Sequence, residues 1–395
     1  MIHYDYAILG GGAAGLSLLC HLQKAGLAEG TRILVVEPEQ KNSHDRTWSF
    51  WEREPGPFEE IVYHRWESIG VHNYTSQATY PLQPLVYKQI KSDDFYQYCD
   101  QLISKLPGVE RINAFAENIT TKNDQVYFQA AGKHYSADWA FSSLPHPIRH
   151  DEIKQPYLDQ HFRGWFIKTE REVFDPSHAT LMDFRTPQHQ ETRFLYVLPT
   201  SSTEAMVEVA IFSNNHLARE TYDNIIGEYL AQHWQLTQRS NKSTLLPPEG
   251  TCYFEVSHTE QGNIPMTTYP FPRQKGHLIY IGLGGGYARP STGYTFFNMQ
   301  RQLAALTEQL KSKRNLNASK PWSARHLIYD ATLLDILQRN TLPGSELFPE
   351  LFHKNPTSRV LDFLNGDTSL IDELQLMSTT NISVFGTAFT RQLLK

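Results

Sequence analysis

The chain has little cysteine. Cys20, Cys99 and Cys252 stand far apart in 395 residues, which excludes a disulfide framework and a cysteine-built zinc site and fits a reducing compartment. It has no excess of basic charge: a net charge of −6 and a pI near 6.3 supply no basic face, so nucleic acid is not an expected partner. It contains no apolar run of about 18 residues, which excludes a conventional membrane-spanning helix and leaves only peripheral membrane contact. The first residues, "MIHYDYAILGGGAAGLSLLCHL", lack a Lys/Arg-rich start, and four glycines break their apolar stretch, so no signal peptide is expected and a cytoplasmic location is. Internal repeats and low-complexity tracts are also missing. What is present is a composition for folding, with 40% hydrophobic and 20% charged residues, in a length that suits two or three domains or one two-lobed enzyme. Aromatic residues reach 12%, enough to ask whether some line a pocket for a large apolar ligand.

The strongest motif is Gly10-Gly11-Gly12-Ala13-Ala14-Gly15, a G-x-G-x-x-G directly after a strand-like run and directly before a helix-like one. Gly10 permits a tight turn, Gly12 lets backbone approach a pyrophosphate, and Gly15 lets helix pack on strand. The helix N-terminus, with Ala13 and Ala14, then offers free N–H groups to phosphate. "RILVVEPE" reads as a second buried strand, and Glu37 at its end, 22 residues beyond Gly15, is placed to accept from a ribose. The glycines do not choose between NAD and FAD. Their place near the start of the chain, a following antiparallel region and a late "IGLGGG" favour FAD, with Gly282, Gly284, Gly285 and Gly286 near the ribityl chain and flavin. An ordinary loop is the other reading of those late glycines.

A discontinuous arrangement follows. Residues 1–50, 86–150 and 262–300 are expected to form the FAD-binding domain. Residues 51–85 and 151–261 should form an antiparallel substrate-binding sheet, and 301–395 a mostly helical C-terminal region. Ser92 or Asp93 is placed to cap one helix, and Ser369 with Asp372 has a cap-like spacing near the end.

"AMVEVAIFS" puts one acid, Glu208, in an apolar strand. Met206, Glu208, Ala210 and Phe212 share one face, and Val207, Val209 and Ile211 the other. Two readings stand for Glu208: a buried acid kept protonated by desolvation, or a structural partner of an arginine.

"HDRTWSFW", "YKQIKSDDFY", "QHFRGWFI", "FDPSHATLMDFR", "VLPTSSTEAMVEVAIFS", "NIPMTTYPF", "STGYTFFNMQ" and "FHKNPTSRVLDFLNGDTSLIDELQLM" resemble, in order and over most of the chain, bacterial lycopene cyclases. That resemblance implies a Rossmann-type FAD-binding fold like that of p-hydroxybenzoate hydroxylase, interrupted by the antiparallel sheet. It implies a membrane-associated isomerase that closes β-ionone rings on lycopene, through γ-carotene to β-carotene, without net redox change. Reduced FAD is the expected cofactor and NAD(P)H the electron source. An FAD-dependent monooxygenase or isoprenoid reductase on the same scaffold is the alternative. Lycopene presents only alkenes, so closure must begin with a strong acid kept dry, and the resemblance makes Glu208 the proton donor.

Two departures stand out. Related cyclases often carry two successive acids where this chain has Val209 after Glu208. Many flavoproteins of this fold carry Asp where this chain has Leu283, which shifts cofactor contacts there to backbone N–H groups. Asp45 and Arg46 are expected to face the isoalloxazine, with a loop salt bridge as the alternative. Trp48, Trp51 and Trp165 are candidates to line the polyene tunnel, or else plain core. His161 is a candidate base or hydrogen-bond partner, or a structural histidine. The apolar face of 343–355 either dips into the bilayer, where the substrate resides, or faces the core.

Overall fold

The structure is a computed structural model that describes residues 1–41, 43–148, 153–239, 250–312 and 316–394. Strand β1 (Ile2–Leu9) runs into the glycine turn, helix α1 (Ala13–Lys24) returns, and strand β2 (Ile33–Val36) lies parallel beside β1. All four residues of β2 are buried, as a strand covered on both faces requires. On the other side of β1 lies Lys133–Ser142, parallel to it, followed by Leu278–Tyr280; Val109–Ile112 extends the sheet beyond β2. Strands Glu117–Lys122 and Gln125–Ala130 fold back antiparallel, and the short strand Gln274–Lys275, antiparallel to Leu278–Tyr280 at the opposite edge, makes the eighth. Helix α1, helix Ser92–Ile103 and helix Phe296–Lys311 supply Leu18, Leu19, Phe95, Met299 and Leu303 to one core of this lobe.

A second sheet of eight strands is mostly antiparallel. Its centre is the long strand Tyr157–Thr169, flanked by Glu204–Ser213 on one side and Cys252–Thr267 on the other. Thr192–Pro199 pairs with the outer side of Glu204–Ser213. One face of the sheet packs Trp165, Val207, Val209 and Ile211 under helix Arg219–Trp234. The other carries Tyr196, Leu198, Met206 and Phe212 toward Trp51, Tyr87 and the C-terminal helices. A small antiparallel sheet of Thr47–Glu52, Val86–Lys91 and His64–Trp66 lies between the two lobes' cores, giving Phe50 and Ile90 to one and Trp51, Trp66 and Tyr87 to the other.

Beyond residue 295 the described elements are helices. The Ser369 side chain caps helix Leu370–Ser378 by accepting from Asp372 N–H, whereas helix Ser92–Ile103 starts after Lys91 without a side-chain cap. The bilayer reading of 343–355 is corrected by packing. Leu347, Phe348 and Phe352 of helix Gly344–Lys354 are buried, and Phe348 stacks on Phe184 at 6.0 Å. Among the described residues, no helix is long and apolar enough to cross a membrane.

Candidate active site

The glycine turn has the geometry its sequence demands. Gly10 sits at φ +104°, and a Cβ on Gly15 would stand 2.0 Å from the Gly10 carbonyl oxygen. A Cβ on Gly12 would meet nothing within 4 Å, so the backbone there is open to a ligand. No side chain caps α1, which leaves its first N–H groups free. Glu37 Oε2 accepts from Gly11 N–H at 2.7 Å and so stands at the turn itself. The late glycines close against this turn: Gly282, at φ +62°, would drive a Cβ to 2.8 Å from the Ala14 Cβ. Gly284 and Gly285 approach carbonyl oxygens of Leu144 and Tyr280 too closely for any side chain. An open cradle, a free helix N-terminus and an acid at the strand end fit a dinucleotide.

A cavity of about 500 Å³ runs from this turn into the second sheet. Gly12, Ala13, Ala14, Gly282 and Leu283 line one end, and Tyr196, Met206, Glu208 and Glu260 the other. Asp45, Arg46 and Trp48 line it between, so these three share a space with both ends. The Ser92 hydroxyl accepts from Asp45 and Arg46 N–H at 2.9 and 3.0 Å, and Tyr96 donates to Asp45 at 3.0 Å, which ties the segment down. Gly285 and Gly286 face a separate hollow beside Tyr269 and Trp322.

Among the described residues no arginine pairs with Glu208. Its neighbour is a second acid, Glu260, carried by the strand on the far side of Tyr157–Thr169. Register explains the meeting: Gly164 pairs with Glu208 on one side and with Glu260 on the other. With no side chain at 164, the two acids reach over the strand toward each other and share a hydrogen bond. A Cβ at 164 would stand 3.2 Å from Glu260 Cγ and 3.3 Å from Glu208 Oε2. Burial, then the charge of Glu260 and the hydrogen bond to it, hold Glu208 well above the ordinary carboxylate range. Burial pushes Glu260 up to about 7, against hydrogen bonds from Thr47 and Glu208 and the charge of Arg46. Both shifts favour a protonated pair, and Glu208 is raised the more strongly of the two.

Three phenols surround this acid: Tyr87, Tyr196 and Tyr294 line the same cavity, and the Tyr196 and Tyr294 hydroxyls are 3.3 Å apart. Trp48 stacks on Phe296 at 5.5 Å. Trp51 stands behind the cluster, edge-on to Tyr294 at 4.4 Å and donating its N–H to the Leu361 carbonyl; it does not line the cavity.

His161 and Trp165 are odd-numbered residues on a strand whose even positions Gln160 and Phe162 face the cavity, so they point to the opposite side. His161 Nδ1 lies 2.7 Å from the Tyr222 hydroxyl, and burial lowers its pKa to about 4. Trp165 donates to Asp223 at 2.7 Å. Neither touches the space that holds Glu208. Val209 lies on that same far side, where a second acid would face the helix and not the cavity. Sequence reading missed Glu260, Thr47 and the three tyrosines. For Glu260 the available signal was an acid sharing a two-residue period with Gly262 and Ile264, but nothing local paired it with Glu208.

The fold is that of FAD-dependent flavoprotein oxidoreductases. A flavoprotein/dehydrogenase from Cytophaga hutchinsonii superposes with a TM-score of 0.62 at 12% identity, covering 99% of both chains. A geranylgeranyl bacteriochlorophyll reductase-like protein from Thermoplasma acidophilum gives 0.60 at 13%, covering 98% of both. The lycopene cyclase protein family model matches residues 5–391, and the chain belongs to that family. It is 26% identical over 312 residues to a lycopene beta-cyclase of Pantoea ananas, covering 74% of this chain and 71% of the relative.

Proposed function

We propose that this protein is a lycopene β-cyclase that binds FAD at the Gly10–Gly15 turn and converts lycopene through γ-carotene to β-carotene. The observation that carries the reading is the hydrogen-bonded Glu208–Glu260 pair, two acids buried in contact in a cavity that also reaches the dinucleotide turn. Glu208, neutral near pH 7, gives its proton to the terminal alkene of the substrate and leaves a tertiary cation. The next alkene attacks that cation, and the Glu260 carboxylate takes the proton released as the ring double bond forms. One proton is given and one taken, so no redox change accompanies closure. The faces of Trp48, Tyr87, Tyr196 and Tyr294 stabilise the positive charge in a site with little water. Reduced FAD, kept reduced by NAD(P)H, would supply an electron-rich ring when bound, and Asp45 and Arg46 line the cavity that would receive it. The substrate arrives from the bilayer by peripheral contact, for which exposed Leu370, Ile371, Leu374 and Ile382 supply apolar surface.

Expression in bacteria that accumulate lycopene tests the reading. Cyclised carotenes are expected; red lycopene persisting beside folded, flavin-loaded protein rejects it. The fold of the structural relatives favours a second reading, an FAD-dependent oxidoreductase on an apolar substrate. That reading requires one NAD(P)H consumed per product, whereas ring closure consumes none.

A further inference from the structure

Glu260 is not the end of its hydrogen-bond chain. Its carboxyl bonds to the hydroxyl of Thr47, a residue on the same cavity wall. Thr47 Oγ1 lies 2.9 Å from His44 Nε2. The His44 ring is held between two others, stacked on His258 at 4.8 Å and edge-on to Phe166 at 5.0 Å. His258 itself sits two residues from Glu260 on the same strand. His44 is half-buried, beside exposed Ser43 and Arg46, so the chain begins at the protein surface and ends at the acid pair.

We infer that His44 and Thr47 form a proton path joining solvent to the Glu260–Glu208 pair, so that the proton given to substrate comes from water. The inference rests on the cyclisation reading. Each member can both donate and accept. Neutral imidazole has one nitrogen of each kind, and a hydroxyl has one proton and two lone pairs. Burial lowers the His44 pKa, which keeps the ring in that neutral form. With His44 Nε2–H donating to Thr47 and Thr47 donating to Glu260, Glu260 is held as the acceptor and Glu208 as the acid. After ring closure Glu260 holds the proton taken from substrate. Reversing each hydrogen bond passes that proton out through Thr47 and His44, and a solvent proton returns by the same route to restore Glu208. No atom or electron is gained or lost. Without the path, the pair recycles the substrate's own proton.

Closure in deuterium oxide separates these cases. In the unaltered protein, one deuterium is expected per ring, on the carbon that Glu208 protonates. Thr47→Val keeps the side-chain shape and removes the hydroxyl; closure at a reduced rate is expected, with deuterium falling below half an atom per ring. Thr47→Ser restores the label, which a merely structural role for Thr47 does not predict. If Thr47→Val fails to fold, His44→Phe reads the same quantity. Full labelling in Thr47→Val or His44→Phe, or rings closed by the unaltered protein without deuterium, overturns the path and leaves the cyclase reading standing. No ring closure by the unaltered, flavin-loaded protein overturns both.

Discussion

Arg163 and Gly164 are adjacent in sequence and stand on opposite faces of one sheet, and those faces treat buried charge in opposite ways. On the helix side Arg163 and Trp165 both bond to Asp223, and His161 bonds to Tyr222. Asp183 is fully buried there; burial raises its pKa, but hydrogen bonds from Arg185 and Tyr229 and the Arg185 charge outweigh that and hold it below the usual range. On the cavity side Glu208 is almost as buried, and what faces it is another acid. A buried acid with a cation is a permanently charged brace. A buried acid paired with an acid keeps a proton it can give away.

The comparison breaks most visibly at Glu208. Glu208→Gln is expected to lower ring closure by about a thousandfold or more while fold and flavin content persist, measured by carotene analysis and flavin absorbance. Gly164→Ala tests the geometry, since its Cβ would press on Glu260 Cγ at 3.2 Å and on Glu208 Oε2 at 3.3 Å. A loss of about tenfold in turnover is expected, with thermal stability little changed. Glu260→Gln sharpens the electrostatics. The folded protein binds the Glu260 proton more tightly than the unfolded chain does, so this acid is harmless below about pH 4.5. It becomes steadily more destabilising as pH rises to about 7. Replacement is therefore expected to stabilise the protein by about 3 kcal/mol at pH 8, roughly 4 °C in melting temperature, and by nothing at pH 4. His161→Gln, on the other face, gives the smallest functional effect. It is expected to cost about 1 kcal/mol of stability through the lost Tyr222 contact and to leave ring closure within about twofold.

Much of the first lobe was legible because its signals are local. A tight turn, a strand that must be apolar and an acid at its end lie within residues 2–37. The helix cap at Ser369 was equally readable from its own few residues. The substrate sheet was legible as strands, and the period of two correctly grouped Glu208 with Met206 and Phe212. The same period, applied to Tyr157–Thr169, would have set His161 and Trp165 apart from Gln160 and Phe162 once the cavity face was known. That face is decided by the helix covering the other side, which no window of the strand reveals. Glu260 was hidden for a similar reason: it lies 52 residues from Glu208 and meets it only because both pair with Gly164.

The glycine turn, the order of strands and helices and an acid in an apolar strand are readable from neighbouring residues, because backbone conformation and burial period are local. What that acid meets depends on the tertiary fold. Strand register across the sheet chose Glu260 and not residue 209 as its partner, and carboxyls from separate strands shift each other's proton affinity only when packing leaves them dry and in contact.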